Sequence, residues 1–181
     1  MNTSIQILEV AALETALPQL VALFQDALDS GAALGFLPPL TAEVGTAYWR
    51  RVGEGVASGV LLLLVARDTS AQEIIGTVQL APAPQSNGRH RAEVMKMMVH
   101  RRARRRGIAR QLLQALEAEA LRRGCTTLVL DTRAGDAAEP LYQSVGYRAA
   151  GTIPAFAQSA DGSLHATVLY YKLLEKSGSQ P

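Results

Sequence analysis

The chain has 181 residues, 48% of them hydrophobic and 19% charged, with eighteen Lys plus Arg against sixteen Asp plus Glu and a formal charge of +2. At about 100 to 200 residues per domain this length predicts one domain, residues 1–175 with a tail over 176–181, and the composition excludes a disordered, collagen-like or low-complexity chain. The longest apolar stretch, Val56 to Ala66, is about half of the roughly 20 residues a membrane span needs; the N-terminus lacks the segments of a secretory signal, and the single cysteine, Cys125, cannot form an internal disulfide, so a cytoplasmic location is expected.

In chain order, Ile5 to Val10 alternates apolar and polar residues and predicts a first strand, and Leu13 to Leu28 has the spacing of a helix. Gly31 to Pro39 breaks the pattern, and Thr41 is a candidate N-cap for a second helix reaching about Ala57. Val60 to Ala66 and Glu73 to Leu80 read as an antiparallel strand pair. Ala81 to Arg91 contains Pro82, Pro84, Asn87 and Gly88 and predicts a long surface turn before a strand over Ala92 to Val99. Ile108, Leu112, Leu113, Leu116 and Leu121 form one apolar helix face that ends at Gly124. Thr127 to Asp131 is a buried strand, and the strand–helix–strand succession requires it to lie parallel to the strand before the helix. A short helix near Ala137 to Ser144 and strands at Tyr147 to Gly151 and Ala166 to Leu173 complete the expectation.

The chemistry concentrates in Ala92 to Leu113, AEVMKMMVHRRARRRGIARQLL. A strand enters a turn carrying Arg104-x-x-Gly107-x-Ala109, and the turn opens a helix. The first N–H groups of such a helix lack internal partners and its dipole adds positive charge there, so the turn suits a phosphate. Gly107 and Ala109 let a pyrophosphate approach the main chain, and six arginines between Arg101 and Arg110 (Arg101, Arg102, Arg104, Arg105, Arg106 and Arg110) add attraction. The spacing is neither that of a Walker A loop nor Gly-x-Gly-x-x-Gly.

Arg-x-x-Gly-x-Ala between a strand and a Leu-Leu helix resembles the acetyl-coenzyme A signature of the GNAT N-acetyltransferase superfamily. Leu141-Tyr142-Gln143-Ser144-Val145-Gly146-Tyr147 resembles its second motif, Leu-Tyr-x-x-x-Gly-Phe/Tyr. The resemblance implies an α/β fold, a mixed central sheet of about seven strands flanked by helices, with parallel fourth and fifth strands splayed at the cofactor site. It also implies an acetyl-CoA-dependent acyltransferase that needs no metal. Within the superfamily, Asn87 to Val99, Leu130 to Gly135, Asp161 to Tyr171 and the earlier Gly35-Phe36 are similar to the tabtoxin-resistance branch.

An amine acceptor with a pKa near 10.4 is mostly protonated at neutral pH, so a base must remove a proton. Glu93 opens the strand before the turn, and Asp131 ends the next parallel strand, where open sheets bind ligands. By resemblance Glu93 and Asp131 are the base and the substrate-orienting carboxylate, with the assignment between them open. Tyr142 matches the family tyrosine that acts as general acid toward the leaving thiolate. The oxyanion is expected to meet a main-chain N–H near Met98 or Val99, and by resemblance Met97, Met98 and Val99 bond the pantetheine arm through their backbone. By the same resemblance the remaining cofactor contacts are expected at Arg104, Arg105, Arg106, Gly107, Ile108, Ala109 and Arg110. Arg101 replaces a frequent proline, and Gly135 replaces the usual asparagine seven residues before the tyrosine, which removes one coenzyme A contact.

The expected partners are acetyl-CoA and a small-molecule acceptor, an amine or a hydroxyl-bearing metabolite such as a tabtoxin-like β-lactam, with no nucleic acid and no membrane; a homodimer stays open. His90, His100 and His165 have no ligand spacing with one another or with Cys125, so no metal is expected. Three alternatives remain: a protein or peptide N-acetyltransferase, a coenzyme A sensor without turnover, and a nucleic-acid-binding regulatory domain that uses the arginine cluster.

Overall fold

The computed structural model describes residues 2–175, so the expected tail over 176–181 lies outside the described residues. The elements are β1 (Thr3–Ile7), α1 (Val10–Asp29), α2 (Ala42–Ala57), β2 (Leu62–Asp68), β3 (Glu73–Pro82), β4 (Arg91–Val99), α3 (Ile108–Arg122), β5 (Thr127–Arg133), α4 (Glu139–Ser144), β6 (Arg148–Gln158) and β7 (Leu164–Leu173). The seven strands form one open sheet in the order β1-β2-β3-β4-β5-β7-β6, with β4 and β5 parallel. This is the mixed α/β architecture expected from the sequence. The chain groups into two compact units, Met1–Ala81 with Met95–Leu116, and Pro82–Val94 with Glu117–Pro181. Among the described residues no helix is long and apolar enough to cross a membrane.

In the first unit, Leu13, Leu17, Leu20 and Phe24 recur at helical spacing along α1 and are buried, while Pro18 takes the solvent side. Thr41 caps α2, its hydroxyl accepting the Val44 N–H at 3.3 Å. Trp49 of α2 is fully buried and packs with Phe24, Phe36 and Tyr48 in a cluster of edge-on and tilted ring contacts. A fully buried side chain such as Phe24 contributes about 1.5–3 kcal/mol. The strands β1, β2 and β3 are antiparallel neighbours, with Ile5 opposite Ala66 and Val65 opposite Thr77. The first strand ends at Ile7 rather than Val10, because Leu8 turns into the core with its N–H on the Leu63 carbonyl and the helix starts at Val10.

In the second unit, Arg91, Ala92 and Glu93 pair in parallel with Thr127, Leu128 and Val129; the ladder stops there, although both strands continue. The strand β7 lies antiparallel between β5 and β6, with Asp131 opposite Leu169 and Arg133 opposite Thr167. The last turn of α3 closes at Gly124, whose φ of +79° favours glycine, and Cys125 N–H bonds to the Ala120 carbonyl. The strand β6 runs to Gln158, well past the expected Gly151, with every residue exposed. It carries no burial alternation to read, and Pro154 with left-handed Ala155 adds an irregularity between Ile153 and Ala157. The expected turn over 81–91 is shorter, since β3 continues through Pro82 and Ala83 N–H already bonds to the Arg91 carbonyl.

Gly76 of β3 is closely approached by its neighbours. A Cβ there would lie 3.0 Å from the Met98 carbonyl oxygen and 3.2 Å from Leu112 Cδ1. Gly76→Ala therefore destabilises the protein by about 1–3 kcal/mol, read as a lower urea midpoint at unchanged m value.

Candidate active site

The strand β4 passes through a left-handed residue, Lys96, at φ +50°. Its ammonium donates to the Leu34 carbonyl at 2.8 Å, and its carbonyl accepts from the Thr77 hydroxyl at 3.3 Å. Beyond it, the Met98 carbonyl and the His100 N–H point toward β3, the latter onto Ile75 O at 2.9 Å. By alternation the main-chain groups of Met97 and Val99 face the opposite edge. Of the three residues expected to bond a pantetheine arm, Met97 and Val99 present their backbone on that edge and Met98 does not.

After β4 the chain makes a short 3-10 turn, Arg101–Ala103, then places Arg105 at φ +65° and Gly107 at φ +75° before α3. Among the described residues the N–H groups of Arg105, Gly107, Ile108 and Ala109 meet no acceptor, whereas the Gly107 carbonyl accepts the Gln111 N–H. A Cβ on Gly107 would meet nothing within 4 Å. Left-handed residues followed by a helix N-terminus make a concave set of donors that fits a pyrophosphate, so the turn can hold the phosphates of acetyl-CoA.

The arginines of this segment divide their work. Arg101 donates its backbone N–H to Asp26 Oδ2 at 2.8 Å and its guanidinium to Oδ1, with His100 Nδ1 at 3.7 Å. Arg102 pairs with Glu73, and Arg104 Nε donates to the Val99 carbonyl at 3.0 Å. Burial alone would raise the pKa of the Asp26 carboxyl. The hydrogen bonds from Arg101 and the charges of His100 and Arg101 outweigh that and hold it below its ordinary value of 3.8. Asp26 thus ties the turn after β4 to α1, a role invisible in an isolated acidic residue within a helix.

In the second unit, Glu93 is exposed at the last rung of the parallel ladder, and Asp131 is exposed toward the end of β5. Asp131 Oδ2 lies 2.9 Å from the hydroxyl of Thr167, which is also 2.8 Å from the Thr132 carbonyl. Thr167 is buried, and its single proton has two acceptors within reach. With Asp131 ionised the hydroxyl donates to Oδ2. With Asp131 protonated, Thr167 accepts from it and donates to Thr132. The sequence singles out the stretch containing Thr167 but not this partnership, which needs the β5–β7 register.

Tyr142 is buried on α4 against Tyr147 and Tyr170, at centroid distances of 5.8 and 6.1 Å. Burial first, then the negative charges of Asp136 and Asp131, raise its hydroxyl well above the ordinary 10. The hydroxyl donates to no acceptor among the described residues, so Tyr142 stays protonated at neutral pH and keeps an O–H to offer. The position of α4 is set by Tyr170, which donates to Glu139 and accepts from Gln143, and by Lys172, which holds the Val145 carbonyl at 2.6 Å and Glu117 at 2.7 Å. Gly135 stands at φ +81° with its N–H on Glu139 Oε1. Cys125 is buried with its thiol on the Arg89 carbonyl, and burial pushes its pKa up, which makes it a poor nucleophile. Among the described residues no three His, Cys, Asp or Glu side chains gather as a metal-ligand set.

Two outcomes test this geometry. Asp26 contributes stability that is full above its unfolded pKa near 3.8 and is lost as pH falls through its lower folded value. Asp26→Asn accordingly lowers the urea midpoint at pH 7, and the gap to the parent protein narrows below about pH 4. Gly107→Glu puts a carboxylate where phosphate oxygens approach and abolishes acetyl-CoA binding in calorimetry. Gly107→Asn, which tolerates a left-handed backbone, retains binding with at most a modest loss.

Residues 24–147 match the acetyltransferase (GNAT) family. An N-acetyltransferase from Staphylococcus aureus Mu50 superposes with TM-score 0.78 at 22% identity, covering 97% of this chain and 100% of that one. A ribosomal-protein-alanine N-acetyltransferase from Brucella melitensis gives 0.76 at 26% identity, covering 94% and 99%. An acetyltransferase from Salmonella typhimurium, solved with its cofactor acetyl-CoA, gives 0.76 at 17% identity, covering 100% and 99%. The chain belongs to the GNAT acetyltransferase family, acyltransferases that take their acetyl group from acetyl-CoA.

Proposed function

We propose that this enzyme transfers acetyl to the amine of a small molecule by direct attack, with Asp131 as base, Glu93 as the orienting carboxylate and Tyr142 as donor to the departing sulfur. The observation that carries the reading is the Asp131–Thr167 hydrogen bond, in which the buried hydroxyl has a second acceptor and so accommodates both protonation states of the carboxylate. Acetyl-CoA supplies an acetyl thioester as an electrophile with a thiol leaving group. Its phosphates would lie on the N–H groups of Arg105, Gly107, Ile108 and Ala109, with Arg104, Arg106 and Arg110 adding positive charge, and its pantetheine arm along the backbone of Met97 and Val99.

The proton account is simple. An ammonium cannot attack, so Asp131 takes one proton and frees the nitrogen lone pair, which forms the new C–N bond as the C–S bond breaks. Tyr142 is a far weaker acid than a thiol and serves best as a hydrogen-bond donor to the sulfur. The proton that ends on sulfur is the second one shed by the amine. Direct attack uses no acyl-enzyme, consistent with the inert surroundings of Cys125.

A second reading, acetylation of a protein N-terminus, draws support from the 26% identity to the ribosomal-protein-alanine enzyme. Coenzyme A release from acetyl-CoA, with a tabtoxin-like β-lactam beside amines, polyamines, aminoglycosides and an alanine-starting peptide, separates the two. Release with a small amine and not with the peptide is expected. With the accepted substrate, Asp131→Asn lowers kcat by about 100-fold or more while calorimetric acetyl-CoA affinity stays within about twofold. Equal turnover removes Asp131 from the mechanism.

A further inference from the structure

The exposed face of the second unit's sheet carries a cation that neither the cofactor turn nor the proton transfer uses. Asp131 and Arg133 are two apart on β5 and share that face; Thr167 stands opposite Arg133 on β7, with His165 two residues before it, and Glu93 stands opposite Val129 on the same side. The other face of these strands, Leu128, Leu130, Val168 and Tyr170, is buried.

Arg133 is half-buried, and its Nη2 donates to Ser159 Oγ at 3.1 Å and to His165 Nε2. A guanidinium has no acceptor, so Nε2 accepts. The Ser163 hydroxyl lies 2.9 Å from the same Nε2 but gives its one proton to Asp161, so the lone pair of Nε2 is left to Arg133. Both of Arg133's partners are therefore uncharged acceptors, and among the described residues it forms no ion pair. The nearest carboxylate along its own strand face, Asp131, is engaged by Thr167. A guanidinium aimed by two neutral hydrogen bonds, with its Nε and Nη1 donors unspent, is arranged to take a carboxylate from outside the chain.

We propose that Arg133, held by Ser159 and His165, is a carboxylate subsite, and that the acetyl acceptor is a small amino acid rather than a simple amine or polyamine. This rests on the reading that the reacting amine lies at Asp131. Residues two apart on a strand are separated by about 6.6 Å, so one small zwitterion can span the ammonium-binding carboxylates and the guanidinium. A planar two-oxygen anion matches the guanidinium fork. A phosphate would bring a second negative charge onto a face already carrying Glu93 and Asp131.

The test uses matched pairs: L-lysine with cadaverine, L-ornithine with putrescine, L-histidine with histamine and β-alanine with ethylamine, plus O-phosphoethanolamine. Each is read by thiol release and by calorimetry on the coenzyme A-loaded protein. At least one amino acid is expected to exceed its amine by tenfold or more in kcat/KM or in affinity. Arg133→Met removes that preference and raises KM for the amino acid by about 10- to 100-fold, with KM for acetyl-CoA and any turnover of the paired amine unchanged. Ser159→Ala, a change in an accessible hairpin, gives a smaller loss in the same direction and covers the case in which Arg133→Met folds poorly. Equal treatment of every pair, a preference for amines or for O-phosphoethanolamine, or a preference that survives Arg133→Met overturns the subsite. Turnover of amines alone overturns the subsite and leaves the acetyltransfer reading standing. Arg133-dependent amino acid binding without thiol release keeps the subsite and overturns the proposed turnover.

Discussion

A lysine in the left-handed region is uphill by about 1–2 kcal/mol, and Lys96 takes that conformation in the middle of β4. Two hydrogen bonds hold it there, one from its ammonium to the Leu34 carbonyl and one from Thr77 to its own carbonyl. The side chain thereby reaches into the connection between α1 and α2, where Gly35 is left-handed at φ +77° and leaves Nζ only 3.7 Å from a Cβ position. A residue with a Cβ at position 35 would be strained by that positive φ, while its contact with the ammonium would be an ordinary one. The orientation of the Met97 and Val99 backbone depends on this local break in an otherwise regular strand.

The arginine segment shows how one charge type serves two ends. Arg101 and Arg102 are spent on Asp26 and Glu73, which fasten the turn to α1 and β3. Arg104 stiffens the turn by binding the end of β4. A donor array for an anion works best when it does not have to reorganise on binding. The buried carboxylate of Asp26, held ionised by its partners, fixes the start of the arginine segment against α1. Read as composition the six cations look like one electropositive patch; read in space, two of them are fasteners.

Elements whose signals are local were legible. The Thr41 cap, the Gly124 stop, the Gly107 turn and the parallel β4–β5 pairing all follow from residues within a few positions, or from the handedness of a strand–helix–strand crossover. What stayed hidden depends on register or on tertiary support. Nothing about a lysine signals a left-handed backbone, and the length of β6 cannot be read where both faces are exposed and a proline interrupts. Thr167 and Arg133 acquire meaning only when β7 is laid against β5, because partners some 35 positions apart in sequence meet through that ladder. Glu93 and Asp131, by contrast, were visible as carboxylates on neighbouring parallel strands, but not that the ladder ends at Glu93 and Val129, two residues before Asp131.

Trp49, the single tryptophan, is fully buried in the first unit, while Tyr142, Tyr147, Tyr170 and Tyr171 belong to the second and only Tyr48 to the first. Each unit therefore carries its own intrinsic chromophore. Tryptophan emission follows the packing around α1 and α2, and the tyrosine near-ultraviolet circular dichroism is weighted toward the packing of α4 on β7. Denaturation followed by both signals resolves how cooperative the chain is: coincident transitions mean one melting body, and separated transitions mean that the first unit, which carries Arg101 to Gly107, opens on its own.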